Sequence, residues 1–327
     1  MASKPISLGL IGTGIVAAGP YRKALERSTA VKAGGLFDPD AAKASALAEA
    51  LEVRAYPDLD ALLSDASIDA VAVLSPNHLH VDIALRSLRA GKHVLVEKPV
   101  AETVEEIEQL EAAAQRAGKV CMPAHNYIYN PSLIRAKRLI GEGRLGTVAS
   151  GWILYNIFHP EEIACHYGGV LREVCVHHAY SLLFLLGKPA KVSAQLSRVH
   201  YHELTCEDQA MLTCTMPGGA LVHLWASFAA SDPTSDPWTV VYKILGTNGG
   251  IAYTWDDARY DDTGGPAWGI PNYLDGFYQE LEFFVTQAIR NGETPLSTLA
   301  DARDAIRIIE AAESSVAKAG TSVEVHY

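Results

Sequence analysis

Two short stretches of this chain carry side chains whose types and spacing could move a proton. The first is His93-Val-Leu-Val-Glu97-Lys98-Pro99, three apolar residues followed by a carboxylate, an amine and a proline. It reads as a buried strand, because interior strands of a parallel sheet are apolar on both faces. A lysine ending such a strand looks into the crevice where α/β sheets bind ligands, and it could stabilise charge developing on an oxygen. The bland alternative is a surface ion pair before a turn proline. The second stretch is Gly168-Gly-Val-Leu-Arg172-Glu173-Val-Cys-Val-His177-His178-Ala-Tyr180, read as one helix reaching about Leu186. Glu173, His177 and Tyr180 are spaced i, i+4, i+7, so one continuous helix puts them on one face. Histidine titrates near neutral pH and is the natural general base. The alternative there is a satisfied i, i+4 pair. His178 points about 100° away on an ordinary helix and reads as structural.

A phosphate cradle comes earlier. Ile6–Gly12 reads as an apolar strand, and Gly12-Thr13-Gly14-Ile15-Val16-Ala17 continues from it and opens a helix. This is G-x-G-x-x-A, a permitted form of the dinucleotide fingerprint, in the required strand–turn–helix context. The second strand, from Val31, ends at Asp38, where a ribose-binding acid is expected. A carboxylate there accepts hydrogen bonds from both ribose hydroxyls and repels a 2′-phosphate, so NAD is expected over NADP. Asp38 could equally cap the next helix, and Asp40 could cap while Asp38 binds. Ser75-Pro76-Asn77 ends a further strand beside the Glu97-Lys98-Pro99 strand, so both face the same crevice.

The elements positioning these residues alternate. Strands are expected at 6–12, 31–38, 54–56, 69–76, 93–99 and 120–125, with helices between them. This implies a Rossmann-type, doubly wound parallel sheet of six strands over residues 1–123. Thr103 and Glu106 form a capping box for one helix. From residue 124 to 327 the pattern becomes α+β, with a helix from Pro131 to about Gly143 and a strand through Tyr155. Strand-like runs follow near 190–200, 208–216, 220–230, 239–246 and 250–255, and their spacing suggests an open antiparallel meander. Two helices (273–291 and 298–318) and a short strand close the chain.

Composition bounds the rest. The chain has 327 residues, 49% of them hydrophobic and 20% charged, which suits an ordinary globular protein of two domains. A formal net charge of −11 argues against a nucleic-acid partner. No run approaches membrane-spanning length. Met1-Ala-Ser-Lys-Pro5 leads straight into a strand, so no signal peptide is expected. The five cysteines lack metal-type spacing and read as reduced thiols in a cytoplasm.

Taken together, Gly12/Gly14/Ala17, Asp38, Ser75-Pro76-Asn77-x-x-His80 and Glu97-Lys98-Pro99 resemble the family of glucose–fructose oxidoreductases, inositol dehydrogenases and their relatives. The resemblance covers essentially the whole chain. It implies a Rossmann domain followed by an α+β domain whose open sheet associates with other copies, giving a homodimer or homotetramer. It implies a helix reading Asp-x-Gly-x-His, whose acid and histidine complete a triad with the strand lysine. By position the acid is Glu173 and the histidine His177. The chain departs from that pattern: Glu173 replaces Asp, Cys175 replaces Gly, Tyr180 stands where an acid is frequent, and 125–131 lacks the family's arginine.

On this reading the chain transfers a hydride between a secondary alcohol of a sugar, sugar derivative or cyclitol and NAD. His177 is the acid–base, Lys98 steadies the reacting oxygen, and Glu173 orients His177 or binds a neighbouring hydroxyl. Glu97 positions Lys98 or the nicotinamide ribose. The cofactor contacts are Gly12, Thr13, Gly14, Ile15, Val16, Asp38, Ser75, Pro76, Asn77, His80, Glu97, Lys98 and Asn126. Trp152, Tyr155, Asn156 and His159, on the strand expected to face the crevice, are candidate substrate contacts, with Tyr127, Arg172 and Tyr180. Three alternatives stay open. They are glycoside cleavage through transient oxidation by bound NAD, a metal-dependent lyase or epimerase using His159, Cys165, His166, Glu173 and His177, and a cofactor-sensing protein without turnover.

Overall fold

A computed structural model describes residues 4–165, 168–230, 239–254 and 271–327. The chain divides into two compact units, Met1–Tyr129 with Leu274–Arg303, and Asn130–Tyr273 with Asp304–Tyr327. The sequence reading divided the chain once, at 123/124. The contacts instead return Leu274–Arg303 to the first unit.

The first unit is built on β1 (Ile6–Ile11), β2 (Val31–Phe37), β3 (Ala70–Val73), β4 (His93–Glu97) and β5 (Cys121–Ala124), in the order β2-β1-β3-β4-β5. All pairings are parallel. The sheet has five strands rather than six, because Arg54–Tyr56 makes only an isolated bridge, Leu36 to Ala55. From β1 the chain steps first to β2 on one side and then to β3 on the other. The topological switch point therefore lies beside Gly12. Ala70–Val73 and Val94–Val96 are fully buried, which is why they read as unbroken apolar runs.

Local chemistry sets the helices. The helix after β1 passes through a π-helical turn, Ala17–Tyr21, into α1 (Arg22–Arg27). Pro20 lies inside it and has no N–H to bond four residues back. α2 (Ala41–Leu51) is capped by Asp40, which accepts from Ala42 N and Lys43 N. α3 (Leu59–Ser64) and α4 (His80–Arg89) follow, α4 entered through a 3₁₀ turn, Asn77–Leu79. α5 (Val104–Ala117) has the capping box: Glu106 N donates to Thr103 Oγ1 and Thr103 N to the Glu106 carboxylate.

The second unit begins with α6 (Pro131–Gly141) and β6 (Val148–Asn156). Three short helices follow, α7 (Glu161–Ala164), α8 (Val170–Glu173) and α9 (Cys175–Leu186). Its sheet adds β7 (Lys191–Ser197), β8 (Gln209–Thr215), β9 (Leu221–Ser227), β10 (Thr239–Gly246) and β11 (Gly249–Thr254). α10 (Pro271–Glu282), a π-helical segment Phe283–Arg290, α11 (Leu299–Ala317) and β12 (Val323–Glu324) complete the chain. The strand order is β11-β10-β6-β9-β8-β7-β12. This corrects the meander. β6 inserts between β10 and β9 and runs parallel to β9, so only β7-β8-β9 and β10-β11 are hairpin-connected. Gly151, Ile153 and Tyr155 share the buried face with Val222, Leu224 and Ala226, and α9 packs against β9.

Candidate active site

The parallel register gathers one half of the predicted site. Ile11 pairs with Val73, Val73 with Val96, and Glu97 with Ala124. The residues just past each strand therefore form one row: Gly12–Gly14, Leu74–Asn77, Glu97–Pro99 and His125–Tyr127, with Asp38 at the end of β2. Every cofactor residue read from the sequence except His80 lies in or next to this row, and His80 is tied to it. Its ring nitrogens lie 2.8 Å from Pro99 O and 2.7 Å from Ser75 O. Carbonyl oxygens only accept, so an imidazolium satisfies both bonds and a neutral ring satisfies one. His80 thereby staples the Ser75–Asn77 loop to the Lys98–Pro99 turn.

The glycine turn has the properties a pyrophosphate cradle needs. Gly12 has φ +100°, and a Cβ there would lie 2.5 Å from Leu74 O. A Cβ on Gly14 would enter open space. Ile15 is 55% exposed, while Thr13 is buried. Asp38 fixes this turn: its Oδ2 accepts from Thr13 N and Thr13 Oγ1, both at 2.8 Å, and its Oδ1 accepts from Asp40 N at 2.8 Å. A carboxylate offers about four lone-pair positions. Three are used, which leaves one for a ribose hydroxyl rather than the two expected. Asp40 caps α2 at the same time, so the two roles coexist. Ser75 Oγ, beside the turn, is buried without a partner.

At the end of β4, Glu97 Oε2 accepts from Lys98 N at 2.9 Å, and the Lys98–Pro99 peptide is cis. His125 lies in the neighbouring strand end, with Nδ1 2.6 Å from Ser297 Oγ. Burial, and then the charge of Lys98, pull His125 down to about 3. Asn126 and Tyr127 follow in a buried 3₁₀ turn.

Glu173, His177 and Tyr180 belong to the second unit, and the helix expected to carry them is not continuous. α8 ends at Glu173, Val174 departs to φ −110°, and α9 starts at Cys175. His177 N bonds Val174 O at 2.9 Å, whereas an unbroken α-helix would pair it with Glu173 O. The expected single face of Glu173, His177 and Tyr180 is thus divided by a break. Val170, Val174 and Val176 are β-branched and favour the helix weakly, and buried packing decides the local path. The start of α8 is capped from outside: Leu171 N donates to Glu207 Oε1 at 2.9 Å. Gly169 has φ +103°, and a Cβ there would strike that carboxylate.

Across the break, His177 and Tyr180 remain together, with Nδ1 2.5 Å from Tyr180 Oη. Glu173, His177 and Tyr180 are all buried, and so is His178, which burial pulls down to about 3. His159 follows β6 with its ring edge-to-face on Phe228, and burial lowers it to about 4. Arg172 spends its guanidinium fork on Glu313, at 2.7 and 2.9 Å.

The β6 candidates do not share a face. Tyr155 lies on the buried face. Trp152 and Asn156 lie on the opposite one, and Lys243 of β10 sits 6.0 Å from the Trp152 ring. Strand alternation is the reason, since Trp152 and Tyr155 are an odd number of residues apart. Asn156 Oδ1 is buried without a partner. Cys165 is exposed, and His166 lies outside the described residues. Among the described residues no group of three or more His, Cys, Asp or Glu side chains could hold a metal ion.

Sequence reasoning missed the contact of Tyr180 with His177, and it missed the buried pair Tyr21–Glu280 of the first unit. Tyr21 Oη lies 3.0 Å from Glu280 Oε2, both wholly buried. The available signal was an acid on an apolar helix stripe: Tyr273, Phe277 and Phe284 stand seven and three residues before and four after Glu280.

Comparison with known proteins follows this geometry. Residues 6–125 match the model of an oxidoreductase family with an NAD-binding Rossmann fold, and residues 133–252 match the GFO/IDH/MocA C-terminal domain. The chain belongs to the Gfo/Idh/MocA oxidoreductase family. Among its relatives is D-xylose 1-dehydrogenase (NADP(+)) 2 of Haloferax volcanii, 28% identical over 97% of this chain and 98% of the relative. Another is the Bacillus subtilis scyllo-inositol 2-dehydrogenase (NADP(+)) IolW, 27% identical over 80% and 82%. A putative myo-inositol dehydrogenase from Sinorhizobium meliloti has the same fold, with a TM-score of 0.86, 22% identity and coverage of 98% and 100%. No described helix of this Gfo/Idh/MocA protein is long and apolar enough to cross a membrane.

Proposed function

We propose that this oxidoreductase transfers a hydride between a secondary alcohol carbon of a sugar, sugar derivative or cyclitol and NAD. The observation that carries the reading is the row of strand ends, where the Gly12–Gly14 turn, Asp38 and Lys98 are aligned by the register of one parallel sheet. The open space at Gly14, the unpartnered Ser75 Oγ and the unused lone pair on Asp38 fit a dinucleotide. When bound, the nicotinamide accepts or gives the hydride.

The chain's own residues handle the proton and the charge. His177 takes the hydroxyl proton on Nε2 as the C–H bond breaks, because its Nδ1 is engaged by Tyr180. Tyr180 Oη accepts from Nδ1–H and so selects the tautomer with a basic Nε2. The Lys98 ammonium donates to the reacting oxygen and steadies its developing negative charge. Glu173 completes this group, orienting His177 or accepting from a neighbouring hydroxyl. NAD is preferred to NADP on the strength of Asp38, although the two relatives named above are NADP(+) enzymes.

Two further parts of the proposal concern assembly and place. The face of the second sheet opposite α9 exposes Met211 at 48% and Leu221 at 47%, with Leu154 and Trp225 beside them. We propose that copies associate through it as a dimer or tetramer. The five cysteines are unpaired, which suits a reducing compartment such as the cytoplasm.

The test is a panel of sugars and cyclitols with NAD, followed by reduced-cofactor absorbance and product analysis. Ketone formation matched by reduced cofactor supports the proposal. Release of an aglycone without net reduced cofactor would replace it with glycoside cleavage through transient oxidation.

A further inference from the structure

α8 is a single turn, Val170–Glu173, and it carries Glu173 at its C-terminal end. A helix this short is not stable by itself, because its first hydrogen bond must fix several residues at once. The break at Val174 also separates it from α9, so the longer helix cannot pass its own orientation to Glu173. The place of the turn is therefore set by contacts from elsewhere in the second unit. Two anchors supply them.

The first is Glu207, just before β8. It takes both amides at the start of the turn: Val170 N donates to its main-chain oxygen at 3.3 Å, and Leu171 N to its Oε1 at 2.9 Å. Gly169 makes room for that carboxylate, since a Cβ there would lie 2.4 Å from Oε1, and its φ of +103° suits glycine. Glu207 is in turn tied to the sheet through its neighbour. Asp208 has no surface exposure, and its carboxylate accepts from Val199, His200 and Tyr201 N at 2.6–3.0 Å. Its main chain bonds Ser197 O at 3.2 Å and Phe228 N at 2.8 Å. The second anchor is the Arg172 fork on the Glu313 carboxylate of α11, at 2.7 and 2.9 Å. A two-pronged pair of this kind fixes an angle as well as a distance. Residues 170, 171 and 172 are thus each held from outside, and Glu173 N closes the turn on Gly169 O at 3.1 Å.

We propose that Glu207 and the Arg172–Glu313 pair are positioning residues, which fix the one-turn helix and thereby aim the Glu173 carboxylate. On this reading Arg172 is a strut rather than the substrate contact expected from the sequence. Burial raises Glu207 above the ordinary carboxyl range. Accepting from an amide needs a carbonyl oxygen but no charge, so glutamine can stand in for Glu207 and leucine cannot. The effect on turnover rests on the proposed function above; the anchoring of the turn does not.

The experiment has an arm for each. Hydrogen exchange, followed by mass spectrometry of the peptide over 168–174, should run about tenfold faster in Glu207→Leu and near the native rate in Glu207→Gln. In turnover, Glu207→Leu should lower kcat about tenfold with KM for NAD little changed, while Glu207→Gln stays within about threefold. Glu313→Ala, at the surface, should lower kcat about threefold, and it carries both arms if Glu207→Leu does not fold. Adding Glu207→Leu to Glu173→Ala should cost little more than Glu173→Ala alone, because an anchor that acts through Glu173 has nothing left to aim. A general loosening would multiply the two losses. Native exchange in Glu207→Leu overturns the proposal, as does a Gln variant as impaired as Leu, or multiplied losses in the double variant. Fast exchange in Glu207→Leu alongside undiminished turnover in Glu173→Ala would leave the anchor standing and show that the reading of the reacting centre is what fails.

Discussion

Replacing Asp38 by Asn tests the basis of cofactor choice while disturbing the glycine turn as little as possible. Asp38→Ala would delete three hydrogen bonds to Thr13 and Asp40 and loosen the turn for any dinucleotide. Asn keeps an oxygen for Thr13 and removes the charge. In the native protein a ribose 2′-hydroxyl can donate to Asp38 Oδ1, a charge-assisted bond of about 1.5–3 kcal/mol. A 2′-phosphate loses that bond and places negative charge beside the carboxylate. Two unit charges 4 Å apart repel by about 1 kcal/mol in water and about 4 kcal/mol near a protein surface. Because Asp38 is half-exposed, the lower part of that range applies. The sum is about 3 kcal/mol, or on the order of 100-fold in favour of NADH. Asp38→Asn should reduce the preference to about tenfold or less, chiefly by tightening NADPH. Titration of the reduced cofactors by fluorescence gives both constants directly. High salt should narrow the native preference and leave that of the variant nearly unchanged. Native protein that binds NADPH as tightly as NADH would refute the reasoning.

Three further outcomes are expected. His177→Ala and Lys98→Ala should each lower kcat about 100-fold or more, while Tyr180→Phe, which removes only the orienting contact, should cost about tenfold; stopped-flow turnover with near-native rates for Tyr180→Phe would remove its orienting role. Trp225→Glu, on the exposed face of the second sheet, should convert an oligomer to a 35.2 kDa monomer by light scattering, and a native protein already monomeric at micromolar concentration would sink the proposed interface. His178 is depressed to about 3 by burial, so the unfolded chain binds a proton that the native protein refuses from about pH 6.5 downward. Its contribution is therefore present above that pH and lost as pH falls, at about 1.4 kcal/mol per unit; urea melts of His178→Met should show a shallower acid slope between pH 6.5 and 4, and an unchanged slope would contradict it.

Much of the first unit was legible because its signals are local. A glycine turn between an apolar strand and a helix, an acid after the second strand, and a lysine ending an apolar run depend on period and spacing alone, and the parallel register carried them to one row. Thr103 and Glu106 announced their helix by the same kind of short-range chemistry. What the sequence left undetermined depends on partners far away in the chain. A continuous helix through Glu173 and His177 suited their i, i+4 spacing, yet the helix breaks at Val174, among the buried β-branched Val170, Val174 and Val176. Trp152 and Tyr155 belong to the strand expected to face the crevice, but alternation sends them to opposite faces. The pairing of β6 with both β10 and β9 joins residues about 70 to 100 positions apart, and no hairpin spacing could reveal it. Tyr21 and Glu280 lie 259 residues apart. Each looked unremarkable alone, and only the tertiary fold brings the phenol and the carboxyl group within 3.0 Å. Sequence period fixes which residues face a core, whereas hydrogen-bond partners are chosen by distance, and distance is a property of the folded chain.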